Sequence, residues 1–213
     1  MRPHPARLPL VLLGLVLVLA ACAPRQVAAP DTGLPASGPY AAIEDGGHTV
    51  PAVPVAQIPD RYERQVVEAP EGAAPGTILI ETGSRFLYLI GDDGTARRYG
   101  IACGRPGFGW TGTAIVARKA RWPVWTPPAP MLRRQPELAR WAGGFPPGPD
   151  NPLGARALYL SWPSGRDTGY RIHGTPEWNS IGSAASSGCI RMLNQDVIDL
   201  YDRVDVGTRV VVR

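Results

Sequence analysis

From residue 76 onward the chain is written in short apolar runs broken by turn residues, and that rhythm restricts it to a mostly β fold. Thr77-Ile-Leu-Ile-Glu-Thr82 and Arg85-Phe-Leu-Tyr-Leu-Ile90 flank Gly83-Ser84, the signal for a tight hairpin. Gly91-Asp-Asp-Gly94 is a second turn, leading into a run over 95–103. Further strands are expected over 113–118, over 155–162, where apolar side chains alternate between two faces, and over 208–213. Residues 122–130 and 143–152 read as Pro/Gly-rich loops, and Pro136-Glu-Leu-Ala-Arg-Trp141 suits a short helix with proline first. One clearer helix follows Asn194, the expected N-cap, with Asp196 in the first turn. Val197, Leu200, Tyr201 and Val204 form its apolar stripe.

The reactive side chains sit just before that helix. Tyr170-Arg-Ile-His-Gly-Thr175 and Ser186-Ser-Gly-Cys-Ile-Arg-Met-Leu-Asn194 hold one histidine, His173, and one cysteine, Cys189, with fifteen residues between them. A cysteine nucleophile needs a base, a group that orients the base, and donors for an oxyanion. His173 supplies the base and the Gly174 carbonyl the orienting group. The backbone N–H groups of Gly188 and Cys189 supply the oxyanion hole, where a glycine lets the backbone approach a substrate closely. By default a free cysteine is a small buried hydrophobe and a lone histidine is structural; the flanking glycines set this pair apart. Cys189 precedes the expected cap by five residues, so the helix dipole is not what activates it. Cys103, at a strand end, is expected to be a reduced packing residue. A single histidine and cysteine leave a metal short of ligands, so neither a metal nor a cofactor is expected.

His-Gly, a gap, and then Ser-x-Gly-Cys-Ile-Arg-Met-x-Asn resembles the signature of the L,D-transpeptidase (YkuD-like, ErfK/YbiS-type) family of cell-wall enzymes. Gly107-Phe-Gly-Trp-Thr-Gly112, Trp122-Pro-Val-Trp-Thr-Pro-Pro128 and Asn151-Pro-Leu-Gly154 add to the resemblance, which covers roughly residues 76–213. One position departs from it. The family more often has Ser-His-Gly-Cys, whereas residue 187 is serine, leaving His173 as the histidine base because the others are His4 and His48. The resemblance implies a YkuD-like β-sandwich with a helix after the cysteine. It also implies that Cys189 attacks a tetrapeptide stem of peptidoglycan, expels the terminal D-alanine and passes the acyl group to an amine. Arg191, Ser186, Ser187 and Trp110 are the substrate-binding candidates, and Trp122 and Trp125 are further candidates for a groove wall. Cross-linking of a second stem, attachment of a wall-bound protein through its lysine, and hydrolysis as an L,D-carboxypeptidase all remain open. So does an inactive wall-binding lipoprotein.

Ahead of this domain the composition changes. Residues 1–21 read as an export signal: Arg2 and Arg7 precede an apolar run over 8–20, shorter than the about 20 residues that span a bilayer comfortably. The run ends Leu-Ala-Ala-Cys22 and resembles a lipobox, implying lipidation at Cys22. Ala23, rather than aspartate, implies delivery to the outer membrane of a Gram-negative bacterium and a periplasmic site of action. Residues 22–75 hold nine prolines and five glycines among few bulky apolar residues, and are expected to be a mostly disordered linker. Residues 76–213, the expected catalytic domain, carry net charge +6 and the linker −4. That balance favours a carboxylate-bearing polymer, and nothing argues for nucleic acid.

Overall fold

The computed structural model describes residues 37–213. The expected export segment and Cys22 lie outside the described residues. The strands are β1 (Ile43–Asp45), β2 (His48–Val50), β3 (Gln65–Glu68), β4 (Ile78–Glu81), β5 (Phe86–Ile90), β6 (Thr95–Gly104), β7 (Gly112–Arg121), β8 (Arg156–Ser161), β9 (Asp167–Thr175), β10 (Ala184–Ser186), β11 (Ile190–Leu193) and β12 (Arg209–Val212). Helix α1 (Ala129–Arg134) lies partly in what reads as loop, the expected helix after it is a 3-10 turn (Pro136–Trp141), and α2 (Asn194–Arg203) follows β11. The fold is mostly β with short helices, as the sequence leads one to expect.

Strand β6 carries the architecture. Its first half pairs with β5 and β3, its second half with β11 and β10. The pairings run from β6 through β11, β9, β8, β7, β12, β4 and β5 back to β6. The sandwich is therefore closed on itself, which removes most open strand edges. Ile78 and Ile80 of β4 point into the main core with Leu87, Tyr99 and Ile101, while Leu79 points outward against Tyr88, Ile90 and Ala96. Both faces are covered, the outer one by Val67, Ala69 and Ala73, which is why these strands read as unbroken apolar runs. Each such side chain contributes on the order of 1.5–3 kcal/mol on burial. The turn between β4 and β5 is longer than Gly83-Ser84 alone: residues 82–85 form it, and Arg85 takes the left-handed φ of 65°.

The expected disordered linker is corrected from residue 37 onward. Tyr40, Val53, Ile58 and Tyr62 bury themselves against Ala102, Ile181 and Leu193, and β3 joins the sheet beside β6. Asp45, at the end of β1, accepts two hydrogen bonds from Arg156 of β8, at 2.7 and 2.8 Å, and a third from Trp122 Nε1 at 2.7 Å. Average composition misses this because a few widely spaced anchors do the packing. Trp122 is held with φ 42° by these contacts and by His48, whose ring centre is 4.4 Å away. It is a packing residue, and no groove wall.

Candidate active site

Strands β9 and β11 run parallel, with Ile172 opposite Ile190 and His173 opposite Arg191. Successive side chains alternate between faces. Ile172, Ile190 and Met192 fill the core, so Arg171, His173, Cys189 and Arg191 share the other face. Cys189 stands one residue ahead of β11 and is half-buried. His173 and Cys189 line one cavity of ≈ 380 Å³, together with Ser186, Ser187 and Arg191. Trp125, Met131 and Leu138, from the segment carrying α1 and the 3-10 turn after it, line it from the opposite side. A neighbouring hollow of ≈ 300 Å³ meets the same Cys189. A larger surface hollow, ≈ 920 Å³, lies elsewhere against Asp92, Asp93 and Arg97 and reaches neither His173 nor Cys189.

His173 is buried, and its Nδ1 lies 2.6 Å from the Gly174 carbonyl oxygen. A carbonyl only accepts, so Nδ1 carries the proton and Nε2 keeps its lone pair. The Gly174 carbonyl thus makes the contact that its expected orienting role requires. Beneath that carbonyl lies Asn194, which is the first residue of α2 and not its cap. Asn194 Oδ1 accepts from the Ala155 N–H at 2.9 Å, and its Nδ2 donates to the Thr175 carbonyl at 3.1 Å. A Cβ on either Gly154 or Gly174 would collide with Asn194 Oδ1. Those glycines make room for the amide that fixes the peptide behind the imidazole.

The loop before Cys189 is built on Ser186. Its hydroxyl donates to the Cys189 carbonyl at 2.5 Å and accepts from the Gly188 N–H at 3.0 Å. The Gly188 N–H is thus committed within the loop, which corrects its expected part in an oxyanion hole, and buried Ser186 is a brace for that loop. Gly188 has φ 112°, and a Cβ there would meet Tyr170 at 2.5 Å and the Phe108 carbonyl at 2.8 Å. Tyr170 in turn stacks on Trp110, with ring centres 4.9 Å apart. Trp110 supports the loop from behind and is not among the residues lining the cavity. Arg191 is paired with Glu177 at 2.6 Å at the cavity edge.

Asn151 is a site residue whose part sequence reasoning missed. Fully buried, it donates through Nδ2 to the carbonyls of Pro123, Phe145 and Pro146 at 2.9, 3.2 and 2.9 Å, and its Oδ1 accepts from the Leu153 N–H. It ties together both ends of the segment opposite Cys189. The Asn-Pro-Leu-Gly motif flagged the position but not this bonding. Cys103 is a free, buried thiol packed in the main core, and burial pushes its pKa up.

Electrostatically the pair is neutral at rest. Burial lowers the His173 pKa to about 4, with Arg191 and Arg171 adding to the drop and the Gly174 bond opposing it. Burial raises the Cys189 thiol, against the Arg171 backbone and the charges of Arg171 and Arg191. Thiol and imidazole, with no preformed ion pair, is the state that this geometry favours.

A closed β fold with a histidine on one strand and a cysteine just ahead of its parallel neighbour, both in one cavity, defines the class of domain. A family model described as the L,D-transpeptidase catalytic domain (YkuD) matches residues 75–212, and the chain belongs to that family. It is 36% identical over 146 residues to the probable L,D-transpeptidase ErfK/SrfK of Escherichia coli, covering 66% of this chain and 44% of that protein. It is 43% identical over 99 residues to ORF 5 of the ATP synthase subunits region of Fuscovulum blasticum, an L,D-transpeptidase candidate, covering 46% of this chain and 48% of that one. The chain thus spans about half the length of the curated relatives it matches. A Brucella melitensis crystal structure, described as a probable carnitine operon oxidoreductase, is 48% identical with a TM-score of 0.51, covering 75% of this chain and 98% of that one.

Proposed function

We propose that the protein is a peptidoglycan L,D-transpeptidase working through a Cys189 thioester. The observation that carries this is the His173 Nδ1–Gly174 bond, which leaves Nε2 as a neutral base in the cavity that holds the thiol. The Cys189 proton passes to His173 Nε2 as sulfur attacks the carbonyl of the third residue of a tetrapeptide stem. With the Gly188 N–H committed to Ser186, the Cys189 N–H is the donor for the resulting oxyanion. The carbon–nitrogen bond breaks, His173 returns the proton to the departing amine, and D-alanine leaves. An acceptor amine then attacks the thioester and gives a proton to His173, which reprotonates the sulfur as the new amide forms. Enclosure by the segment opposite Cys189 slows the competing attack by water.

By the same reading, Cys22 is lipidated and holds the enzyme at the outer membrane, facing the wall from the periplasm. Two acyl-type anchors on one residue would hold it stably, where a single chain is marginal. Cys22→Ser should move the protein from the membrane pellet to the soluble fraction; persistence in the pellet defeats the anchor. For the reaction, full-length protein given a tetrapeptide-bearing disaccharide should release D-alanine and form dimers, both read by mass spectrometry. Tripeptide product without dimers would favour a carboxypeptidase, and no turnover of the stem would contradict both.

A further inference from the structure

The charged side chains lining the Cys189 cavity are Arg105, Glu177 and Arg191, besides neutral His173. Glu177 and Arg191 neutralise each other at 2.6 Å. Arg105 has no acidic partner among the described residues, so the cavity keeps one uncompensated positive charge. Its position is set by the backbone: the Arg105 N–H donates to the Ser186 carbonyl at 3.0 Å, and the Phe108 N–H closes a turn back to the Arg105 carbonyl at 2.9 Å. That turn presses on the nucleophile loop where Phe108 meets Gly188. Arg105 is therefore latched to the loop that presents Cys189. Its guanidinium lies 5.3 Å from the Phe108 ring centre, and Arg134 of α1 lies at the same distance from that ring. Arg134 likewise has no ion-pair partner among the described residues. Two guanidiniums without an acidic partner thus meet one aromatic ring, Arg105 from the cavity lining and Arg134 from α1.

A guanidinium without a partner, held at a site that takes a peptide, is a ready acceptor for a planar carboxylate, which it engages with two parallel N–H donors. We propose that Arg105, with Arg134 on the same Phe108 ring, forms the subsite for a carboxylate of the acyl-donor stem other than the one that leaves with D-alanine. This rests on the acyl-transfer reading and deepens it: the subsite selects stems by charge and fixes their depth in the cavity. Arg191, the more obvious candidate, is already occupied by Glu177.

The test uses the full-length protein and two tetrapeptide-bearing disaccharides, one with its branch carboxylate free and one with it amidated. The rate of Cys189 thioester formation at subsaturating stem gives kcat/KM for each. The parent should favour the free acid about tenfold, since charge-assisted bonds exceed neutral ones, and Arg105→Gln should bring the ratio close to one. Arg105→Lys should keep part of it, having the charge without the fork. Arg134→Gln should reduce the ratio less, because Arg134 is not among the lining residues. A parent with no preference, or an Arg105→Gln protein with the parent's ratio, overturns the subsite while leaving acyl transfer standing. A parent that forms no thioester with either stem overturns the reading beneath it as well.

Discussion

The Asp45–Arg156 clamp and the His173–Cys189 centre both bury ionisable groups, and they treat charge in opposite ways. At the clamp the charges are kept. Arg156 is 1% exposed, and its two bonds to Asp45 hold that carboxyl below its usual range. At the centre no acid among the described residues is paired with His173, and burial disfavours the charged form of both side chains. Asp196 is an intermediate case: it is fully buried 3.7 Å from Arg64, yet desolvation lifts its pKa to about 7. A fixed ion pair is useful where the chain must stay put. A neutral pair costs less to bury and develops charge only when a substrate's dipoles are there to receive it.

The largest effect should come from the centre. His173→Gln should cut thioester formation by about 10²–10⁴ near neutral pH, with recovery at high pH where the thiol ionises unaided. An unchanged rate in quenched-flow mass spectrometry would mean that burial has no catalytic counterpart here. At the clamp, Asp45→Ala leaves the buried Arg156 without a counter-charge, and should cost about 3–5 kcal/mol of stability in urea unfolding. A loss below about 1 kcal/mol would place the pair with exposed ones, where such values are usual, and would erase the contrast.

The pH dependence sharpens the contrast further. A histidine lowered to about 4 contributes stability that is complete above its ordinary 6.5 and is lost as pH falls through about 4. Asp196, raised to about 7, works the other way: its contribution is complete below 3.8 and lost as pH rises through about 7. The two slopes oppose each other between about pH 4 and 6.5, so Asp196→Asn should lose more stability than the parent on acidification, followed by denaturant titration. The acid limb of the acylation rate should likewise lie near pH 4; a limb at 6.5 would show a solvated imidazole. The smallest effect belongs to the rim. Glu177 is 62% exposed in its side chain, and Glu177→Gln should change stability by less than about 1 kcal/mol in thermal unfolding.

Much of this was legible in the chain. Alternation in 155–162 and the runs in 77–90 gave the strands, because periodicity reports burial directly. His173, Gly174 and Cys189 stood out as reactive types beside residues that permit close backbone approach. What escaped was bonding between distant residues. Nothing local tells that Asp45 reaches Arg156, or that Asn194 forgoes capping to brace Ala155 and Thr175. The commitment of the Gly188 N–H to Ser186 was equally hidden, since a Ser-Ser-Gly-Cys string fits an open oxyanion hole as well as a closed serine turn. Tryptophans misled for a similar reason: Trp122 and Trp110 pack and brace, and Trp125 faces the cavity.

The central claim is that Cys189 carries the acyl group, and intact-mass measurement after brief exposure to a tetrapeptide-bearing disaccharide reads it directly. The parent should gain the mass of the stem less D-alanine, and peptide mapping should find it on Cys189 and not on Cys103, with Cys189→Ala gaining nothing. An equal gain on Cys189→Ala would contradict the account.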